Sequence, residues 1–332
     1  IGPAPVILDD YRYSVEIQTT KTIEVKPNNL INAFEDIVLS EKKLHTFGAA
    51  VNSGKPIFLY GPPGNGKTTI AEAIGRSLPG EIYVPYSVLV GGQIIIVYDQ
   101  VNHCPIDTTS VSDNHDKRWI RVKRPIIISG GELTLKALDL EFNPDSKYSE
   151  APLQMKANNG LFIVDDFGRQ LIEPQTLLNR WIVPLDRRVD FLTLHTGMKF
   201  EIPFDQHVIF STNIDPKKLA DEAFLRRLPY KLKIDYPTVD EYESIFCKVC
   251  DSNRLKFEQK SFDYLITKYQ NSDIKLNGCH PRDMIDQIID QSYFAGIPPA
   301  ITVDAIDLAW KNYFVDSKYE EETIPKRGLS RL

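Results

Sequence analysis

Residues 61–68 read Gly-Pro-Pro-Gly-Asn-Gly-Lys-Thr and match the pattern G-x-x-x-x-G-K-[ST] in full. An apolar run, Pro56–Tyr60, precedes the motif, and a segment of helical character, Lys67–Leu78, follows it. Glycines let consecutive backbone N–H groups turn towards a polyanion, and the positive end of the following helix adds to the attraction. The stretch therefore predicts a phosphate-binding loop between a strand and a helix.

The chemistry of this loop assigns roles to individual side chains. Lys67 is expected to reach the β- and γ-phosphates of a nucleotide, and the Thr68 hydroxyl is expected to bind Mg²⁺. The residues predicted to hold the nucleotide are Gly61, Pro62, Pro63, Gly64, Asn65, Gly66, Lys67, Thr68 and Thr69.

Two carboxylates follow a second apolar run further along the chain. Leu161–Val164 is apolar at every position, as expected of a strand that is buried on both faces of a parallel sheet, and Asp165 and Asp166 come next. Ligands bind at the carboxyl ends of such strands. We therefore predict that Asp165 holds Mg²⁺ and that Asp166 orients or deprotonates the attacking water.

The remaining pattern predicts an α/β fold with a parallel central sheet and a small C-terminal helical domain. Asn29–Val51 has the period of one helix, Gln206–Ser211 is a third buried-strand run, and residues 187–203 have the pattern of a β-hairpin. The predicted domains are an N-terminal extension (1–29), an α/β domain with a β-rich insertion at about 85–150 (30–235), a helical lid domain (236–315) and a charged tail (316–332).

Composition excludes several classes of protein. The 332 residues are 42% hydrophobic and 25% charged, with a net charge of −6, so general adhesion to nucleic acid or anionic membrane is not expected. No apolar run approaches the ~18 residues of a membrane span. Four cysteines are too few for a disulfide framework, which favours a reducing, cytoplasmic compartment. The chain begins with Ile1 rather than Met, which is consistent with an upstream segment.

Together these motifs resemble the AAA+ ATPases, over about residues 30–315. Lys156–Asp166 resembles the Walker B strand and its approach in the helix-2-insert branch, which includes bacterial MoxR-like and magnesium-chelatase-like proteins. The resemblance implies that the chain binds and hydrolyses ATP with Mg²⁺. It also implies a ring, typically a hexamer, that remodels or assembles a protein partner.

The resemblance extends to further catalytic residues. Asn213, after the third apolar run, is similar to the family's sensor 1, and Arg227 in Ala223–Leu228 to its arginine finger, in preference to Arg226. Arg282 in the sequence His-Pro-Arg-Asp is similar to sensor 2. The predicted catalytic set is Asp166, Asn213, Arg227 and Arg282.

One departure from the family leaves a second function open. The family has Glu where this chain has Asp166, and a carboxylate displaced by about 1 Å can lower a rate ~10²-fold. A nucleotide-dependent switch or scaffold with slow hydrolysis is therefore an alternative.

Two weaker patterns give further alternatives. The basic tract 117–124 would suit a DNA-linked ATPase, such as a loader or a transposition regulator, although a charged edge strand is the commoner origin of such a tract. Cys247, Cys250, Cys279 and His280 could supply four zinc ligands, although buried thiols are commoner.

Overall fold

The computed structural model describes residues 3–106, 116–219 and 221–314, and the chain divides into two units, Ile1–Asp235 and Tyr236–Leu332. The elements of the first unit are β1 Val6–Ile7, α1 Leu8–Ile17, α2 Pro27–Ala33, α3 Glu41–Asn52, β2 Ile57–Tyr60, α4 Lys67–Ser77, β3 Glu81–Pro85, β4 Ser87–Val90, β5 Gln93–Ile96, β6 Trp119–Lys123, β7 Ile126–Ser129, β8 Glu141–Asn143, β9 Tyr148–Glu150, α5 Leu153–Lys156, β10 Leu161–Val164, α6 Pro174–Arg187, β11 Val189–Thr193, β12 Lys199–Pro203, β13 His207–Thr212, α7 Pro216–Leu219, α8 Glu222–Leu225 and β14 Tyr230–Lys233. Those of the second are α9 Val239–Ser252, α10 Gln259–Gln270, α11 His280–Ala295 and α12 Val303–Tyr313.

Five parallel strands form the central sheet of the first unit, in the order β14-β2-β13-β10-β7. The three apolar runs of the sequence are strands of this sheet, as predicted, and the structure places them side by side in the order β2-β13-β10. They lack alternation because helices cover both faces: Ile57 and Leu59 pack with residues of α2, α3 and α4, whereas Phe58 packs with residues of α6. Phe162 and Trp181 meet across the second interface, with ring centroids 5.2 Å apart.

The predicted single helix over Asn29–Val51 is wrong, because the structure has two helices there. Helix α2 ends with Phe34 at its C-cap, and α3 begins at Glu41 after Ser40. Phe34 and Phe47, one on each side of the break, stack with ring centroids 5.8 Å apart. Both residues are buried although the helix is interrupted between them. The spacing of the apolar residues therefore did not reveal the break.

Four strands from the range 85–150 form a second sheet with β1, in the order β1-β4-β5-β9-β8, within the described residues on either side of 107–115. The same range also supplies β7 to the central sheet and β6 to a pair with β3, so it is not one separate β-rich insertion. The N-terminal segment, which the sequence suggested as an extension, packs into this part of the fold. Val6 pairs with Val88 of β4, and Tyr11 and Val15 of α1 lie in the same apolar core as the β11–β12 hairpin. That hairpin is antiparallel, with Val189 opposite Pro203, and agrees with the pattern of residues 187–203.

Helices α9 to α12 of the second unit share one apolar core, in which Tyr242, Phe246 and Ile285 are fully buried. Thr238 caps α9 through the backbone N–H of Glu241, whose carboxylate accepts from the Thr238 N–H in return, a capping box that fixes the start of the helix. The tail 316–332 lies outside the described residues. Within the described part of the chain, no helix has the length and apolar character needed to cross a membrane.

Candidate nucleotide site

The phosphate-binding loop runs from the end of β2 to the start of α4. Gly61, Gly64 and Gly66 have φ of 145°, 74° and 76°, values that side chains rarely adopt. A Cβ on Gly61 would lie 1.9 Å from the Ile234 carbonyl oxygen, so the loop needs glycine there to pass close to the neighbouring backbone. A Cβ on Gly66 would meet no atom within 4 Å, which leaves this face of the loop open to a ligand.

Lys67, the first residue of α4, is buried with 7% of its surface exposed. Its Nζ donates to the carbonyl oxygens of Gly61 and Pro62 at 3.1 and 2.9 Å. Burial lowers the pKa of Lys67, while the charges of Asp165 and Asp166 raise it. The cation is thus held over the loop by neutral carbonyls, which an anionic ligand could replace as partners of the ammonium group.

The next side chain of the loop contacts the acidic strand end. The Thr68 hydroxyl donates to Asp165 Oδ2 at 2.7 Å, which joins the start of α4 to the end of β10. Mg²⁺ prefers oxygen ligands, commonly one or two carboxylates together with the phosphates of the substrate. The paired oxygens of Thr68 and Asp165 therefore fit a Mg²⁺ ion beside the phosphate-binding loop.

The second acid pairs with the predicted sensor. Asp166 adopts a left-handed backbone with φ of 47°, and its Oδ1 accepts a hydrogen bond from Asn213 Nδ2 at 3.3 Å. Asn213 directly follows β13, the strand next to β10. Adjacent parallel strands thus bring together two side chains that lie 47 positions apart in the sequence.

The predicted finger, Arg227, follows α8 and is bound to another helix. Its Nε donates to both carboxylate oxygens of Asp186 in α6, at 3.1 and 2.9 Å. Its neighbour Arg226 is exposed, and its guanidinium makes no hydrogen bond or ion pair with the described residues. The structure therefore distinguishes two arginines that the sequence placed side by side.

Arg282 lies in the first turn of α11, in the second unit. Its side chain is 69% exposed, and its Nε is 3.6 Å from Asp283 Oδ1. The Arg282 side chain therefore faces solvent within its own unit.

The four candidate zinc ligands also lie in the second unit. His280 Nδ1 is 2.8 Å from the Tyr269 hydroxyl, and the Cys279 sulfur is 4.0 Å from that of Tyr313. Burial raises the pKa of the Cys250 thiol to about 12, which disfavours the thiolate that binds metals. Among the residues that the structure describes, no group of three or more His, Cys, Asp or Glu could hold a metal ion.

Three further residues shape the site, and the sequence analysis missed them. Gln170 donates to the Asp165 and Asp166 carbonyl oxygens at 2.9 and 3.3 Å and accepts from the Gly168 N–H. Asp186 is the partner of Arg227. Glu132 follows β7, where its Oε1 accepts from the Ser129 hydroxyl and the Gly130 N–H. An acid just after a β-like run was the available signal for Glu132, whereas Gln170 and Asp186 carried none.

The basic tract 117–124 is divided between two environments. Arg118 pairs with Asp116, and Arg121 pairs with Glu81 across β3 and β6. Arg124 points inward and donates to three backbone carbonyls, including that of Asn159 at 2.6 Å. Arg118, just before β6, and Arg121, within it, thus form ion pairs, whereas Arg124 holds the backbone together.

Comparison with known proteins concerns the fold. Residues 238–312 match a family model described as a domain of unknown function, DUF8689, and no curated protein matches the chain. The structure of NtrX from Brucella abortus in complex with ADP is similar, with a TM-score of 0.50 and 13% identity, covering 83% of this chain and 56% of NtrX. RuvB from Thermotoga maritima, a Holliday junction branch migration motor, has a TM-score of 0.50 and 13% identity, covering 85% of this chain and 72% of RuvB.

The chain spans little more than half of the NtrX chain, and at 13% identity the likeness is one of architecture. The architecture of this chain consists of the five-stranded parallel sheet with its flanking helices and of the C-terminal helices. The chain therefore has the α/β fold of the AAA+ P-loop ATPases.

Proposed function

We propose that the chain is an ATPase that binds ATP with Mg²⁺ at residues 61–69. The observation that carries the proposal is the hydrogen bond of 2.7 Å between Thr68 and Asp165, because it places a hydroxyl and a carboxylate together beside the buried ammonium group of Lys67. The crystal of the structural neighbour NtrX contained ADP, which supports a nucleotide as the ligand of this fold.

Each side chain has a role that follows from its charge and position. Lys67 would neutralise charge on the β- and γ-phosphates, and Thr68 and Asp165 would hold Mg²⁺, which offsets the negative charge of the transferred phosphoryl group. Asp166 and Asn213, which contact each other, would orient the attacking water. Fixed groups of this kind act because they are in place before charge develops.

Copies of the chain would form a ring, and ATP hydrolysis would drive the remodelling or assembly of a protein partner. An arginine from the neighbouring subunit would complete the site, and Arg227 is our candidate. Its pairing with Asp186 would hold the guanidinium at a fixed place on the surface. Arg282, at the start of α11, would link the nucleotide to the helical unit. The two hairpins β4–β5 and β11–β12 support the resemblance to the helix-2-insert branch.

A slow switch is the second candidate, and the conformation of Asp166 favours it. The residue has a short side chain, lies in a left-handed conformation and is held by Asn213. Its carboxylate has little freedom to reach a water that a longer Glu would contact. Under this alternative the chain binds ATP and assembles, while hydrolysis stays slow.

ATP turnover per chain, measured against protein concentration with Mg²⁺ present, tests the proposal. A site completed between subunits predicts turnover that rises with concentration. Arg227→Ala should then abolish turnover and leave ATP binding intact, while Arg226→Ala, its exposed neighbour, should keep most of the activity. The reverse result would transfer the role of finger to Arg226, and loss of neither would contradict a finger in this segment.

Asp166→Glu separates the two candidates. If wild-type chain binds ATP without turnover, and Asp166→Glu restores turnover by roughly 10²-fold, the short acid limits the rate and the wild type is a switch. If wild-type turnover is already substantial, the same change should alter it little, and the switch is excluded. Absence of ATP binding, measured by calorimetry, would contradict both.

A further inference from the structure

The first unit carries an open cleft of about 1060 Å³ that includes no residue of the phosphate-binding loop. Its walls come from the last turn of α4, from the β3–β6 pair and from the start of β7. The charged side chains on these walls are Arg76, Arg121, Lys123, Arg124 and Glu81. Four cations against one acid is unusual in a chain whose net charge is −6.

Two of these cations are available to a ligand. Lys123 is exposed, and its ammonium group has no hydrogen bond or ion pair within the described residues. Arg76 is 48% exposed. It lies 3.7 Å from Glu72, an ion pair that contributes little at such exposure, and its Nη2 donates a long hydrogen bond of 3.5 Å to the Ala33 carbonyl. Arg121 pairs with Glu81, and Arg124 is held by backbone carbonyls with the charge of Asp205 nearby, so the charges of these two cations are partly offset.

The floor of the cleft is held rigidly. Gln18, just after α1, accepts from the Tyr83 N–H and donates to the Tyr83 carbonyl, which fixes β3, while Arg124 donates to the Gln18 carbonyl. Arg121 and Lys123 lie two positions apart on β6 and so project from the same side, about 7 Å from each other. This spacing suits successive phosphates of an extended polyanion.

An aromatic ring lies beside the cations. Tyr83 is opposite Arg121 in the β3–β6 register and is 42% exposed within the same cleft. Proteins that bind single-stranded nucleic acid without strong sequence preference combine a positively charged groove with exposed aromatic side chains on which bases stack. A duplex is instead read by helices or ribbons that enter its grooves, and an acidic peptide gives an aromatic ring no base to stack on.

We propose that this cleft binds single-stranded nucleic acid, with Arg76 and Lys123 on the phosphates, Arg121 exchanging Glu81 for a phosphate, and Tyr83 stacked against a base. The cleft lies at the C-terminal end of α4, the helix whose N-terminal end carries Lys67. An 11-residue helix spans about 16 Å, so the bound nucleic acid and the nucleotide would lie at opposite ends of α4.

The test is fluorescence anisotropy of labelled dT20 and rU20 with the full chain, without nucleotide, at two salt concentrations. We expect a dissociation constant of roughly 10⁻⁴–10⁻⁶ M at physiological salt. Replacing two cations, Arg76→Gln with Lys123→Gln, should weaken binding about tenfold or more and reduce the slope of log K against log salt by about 1.4.

The control is a pair of exposed lysines away from the cleft, Lys55→Gln with Lys199→Gln, which changes net charge equally and should leave affinity within about twofold. Tyr83→Ala should weaken binding about fivefold or more, consistent with loss of one stacked base, whereas Tyr13→Ala, 66% exposed on α1, should not.

Four results would overturn the proposal: no binding of either oligonucleotide, equal loss in the control pair, equal or tighter binding of polyglutamate, or equal or tighter binding of phosphatidylserine vesicles. A duplex that binds more tightly than dT20 would likewise contradict a single-strand site. Because the assay contains no ATP, its outcome is independent of the proposed ATPase activity.

Discussion

The carboxylates at the two ends of the central strands differ in how many hydrogen bonds they accept from the protein. At the amino ends, Asp205 is only 6% exposed, and its carboxylate accepts from the Thr20 N–H, the Thr20 hydroxyl and Asn159 Nδ2. At the carboxyl ends, Asp165 accepts one side-chain hydrogen bond, from Thr68, and Asp166 accepts one, from Asn213. The same strands, β10 and β13, connect both sets.

This difference in hydrogen bonding distinguishes carboxylates that stabilise the fold from carboxylates that can bind a ligand. A carboxylate whose oxygens are mostly occupied by protein donors has little capacity left for a ligand, and its hydrogen bonds hold segments of the chain together. Asp205 joins the N-terminal segment at Thr20 to Asn159, just before β10. The carboxyl-end acids retain unoccupied acceptor positions, which is what a site for Mg²⁺ and water requires. We therefore expect mutations at the two ends to damage different properties.

Asp205→Ala should have the largest effect on stability. The change leaves the Thr20 N–H without its acceptor and removes one of the two acceptors of Asn159 Nδ2. It also removes the negative charge that raises the pKa of the buried Arg124 and Arg188. Removing one partner of a buried charged network costs about 3–5 kcal/mol. Urea unfolding should show this loss in a Trp310→Phe background, where Trp119 and Trp181 report on the first unit.

The matched control is Asp186→Ala, which removes a carboxylate that is 43% exposed and pairs with Arg227. Exposed ion pairs contribute about 0–1 kcal/mol, so the midpoint should scarcely move. Similar losses of stability for Asp205→Ala and Asp186→Ala would contradict the distinction between the buried amino-end network and an exposed ion pair.

Lys67→Ala should have the opposite effect to Asp205→Ala: it should lower activity and leave stability nearly unchanged. Among the described residues, its ammonium group donates only to carbonyls of its own loop, and burial disfavours its charge, so the free energy of unfolding should change by less than about 1 kcal/mol. Transition-state stabilisation by one fixed cation is worth roughly 10²–10³-fold, so turnover should fall by that factor and ATP affinity should fall with it.

Lys55→Ala, at an exposed lysine just before β2, provides the control and should leave both properties unchanged. ATP binding by calorimetry and unfolding by urea should be measured on the same samples. A stability loss comparable to that of Asp205→Ala, or unaltered turnover, would show that Lys67 serves the fold rather than the site.

The sequence predicted the carboxyl ends of the strands better than the amino ends, for a physical reason. A phosphate-binding loop is a local arrangement, so glycines, Lys67 and Thr68 appear together in eight residues. The β2, β10 and β13 strands were recognisable because burial on both faces removes polar residues from them. These features predicted the fold and a shared Mg²⁺ site for Thr68 and Asp165, whereas Asn213 was predicted from the family resemblance and its contact with Asp166 was not predicted.

The amino-end network could not be read from the sequence because its contacts are distant along the chain. Thr20 and Asp205 are separated by 185 positions, and nothing near either residue indicates the other. The tract 117–124 appeared uniformly basic, yet Arg124 is a structural cation and Lys123 an exposed one. Side-chain direction and long-range pairing decide such roles, and both depend on the assembled sheet.

The smallest effect concerns His207, which opens β13 at the amino end. It is 3% exposed, and neither ring nitrogen has a hydrogen-bond partner among the described residues. Burial, with the nearby charge of Arg188, lowers its pKa from 6.5 to about 4, against the opposing effect of Asp205. The unfolded chain therefore takes up a proton before the folded one as pH falls.

The sign follows from that order of protonation. The stability associated with neutral His207 is fully present above pH 6.5 and is lost as pH falls from 6.5 towards 4, by up to about 3 kcal/mol. His207→Leu removes the titrating group and places an apolar side chain of similar size where no hydrogen bond is lost. Its free energy of unfolding should match or exceed that of the wild type at pH 7.5, and the gap should widen in its favour at pH 5. His195→Leu, an exposed histidine of the β11–β12 hairpin, should show no such widening, and equal pH slopes for wild type and His207→Leu would mean that the amino-end network tolerates a charged imidazole.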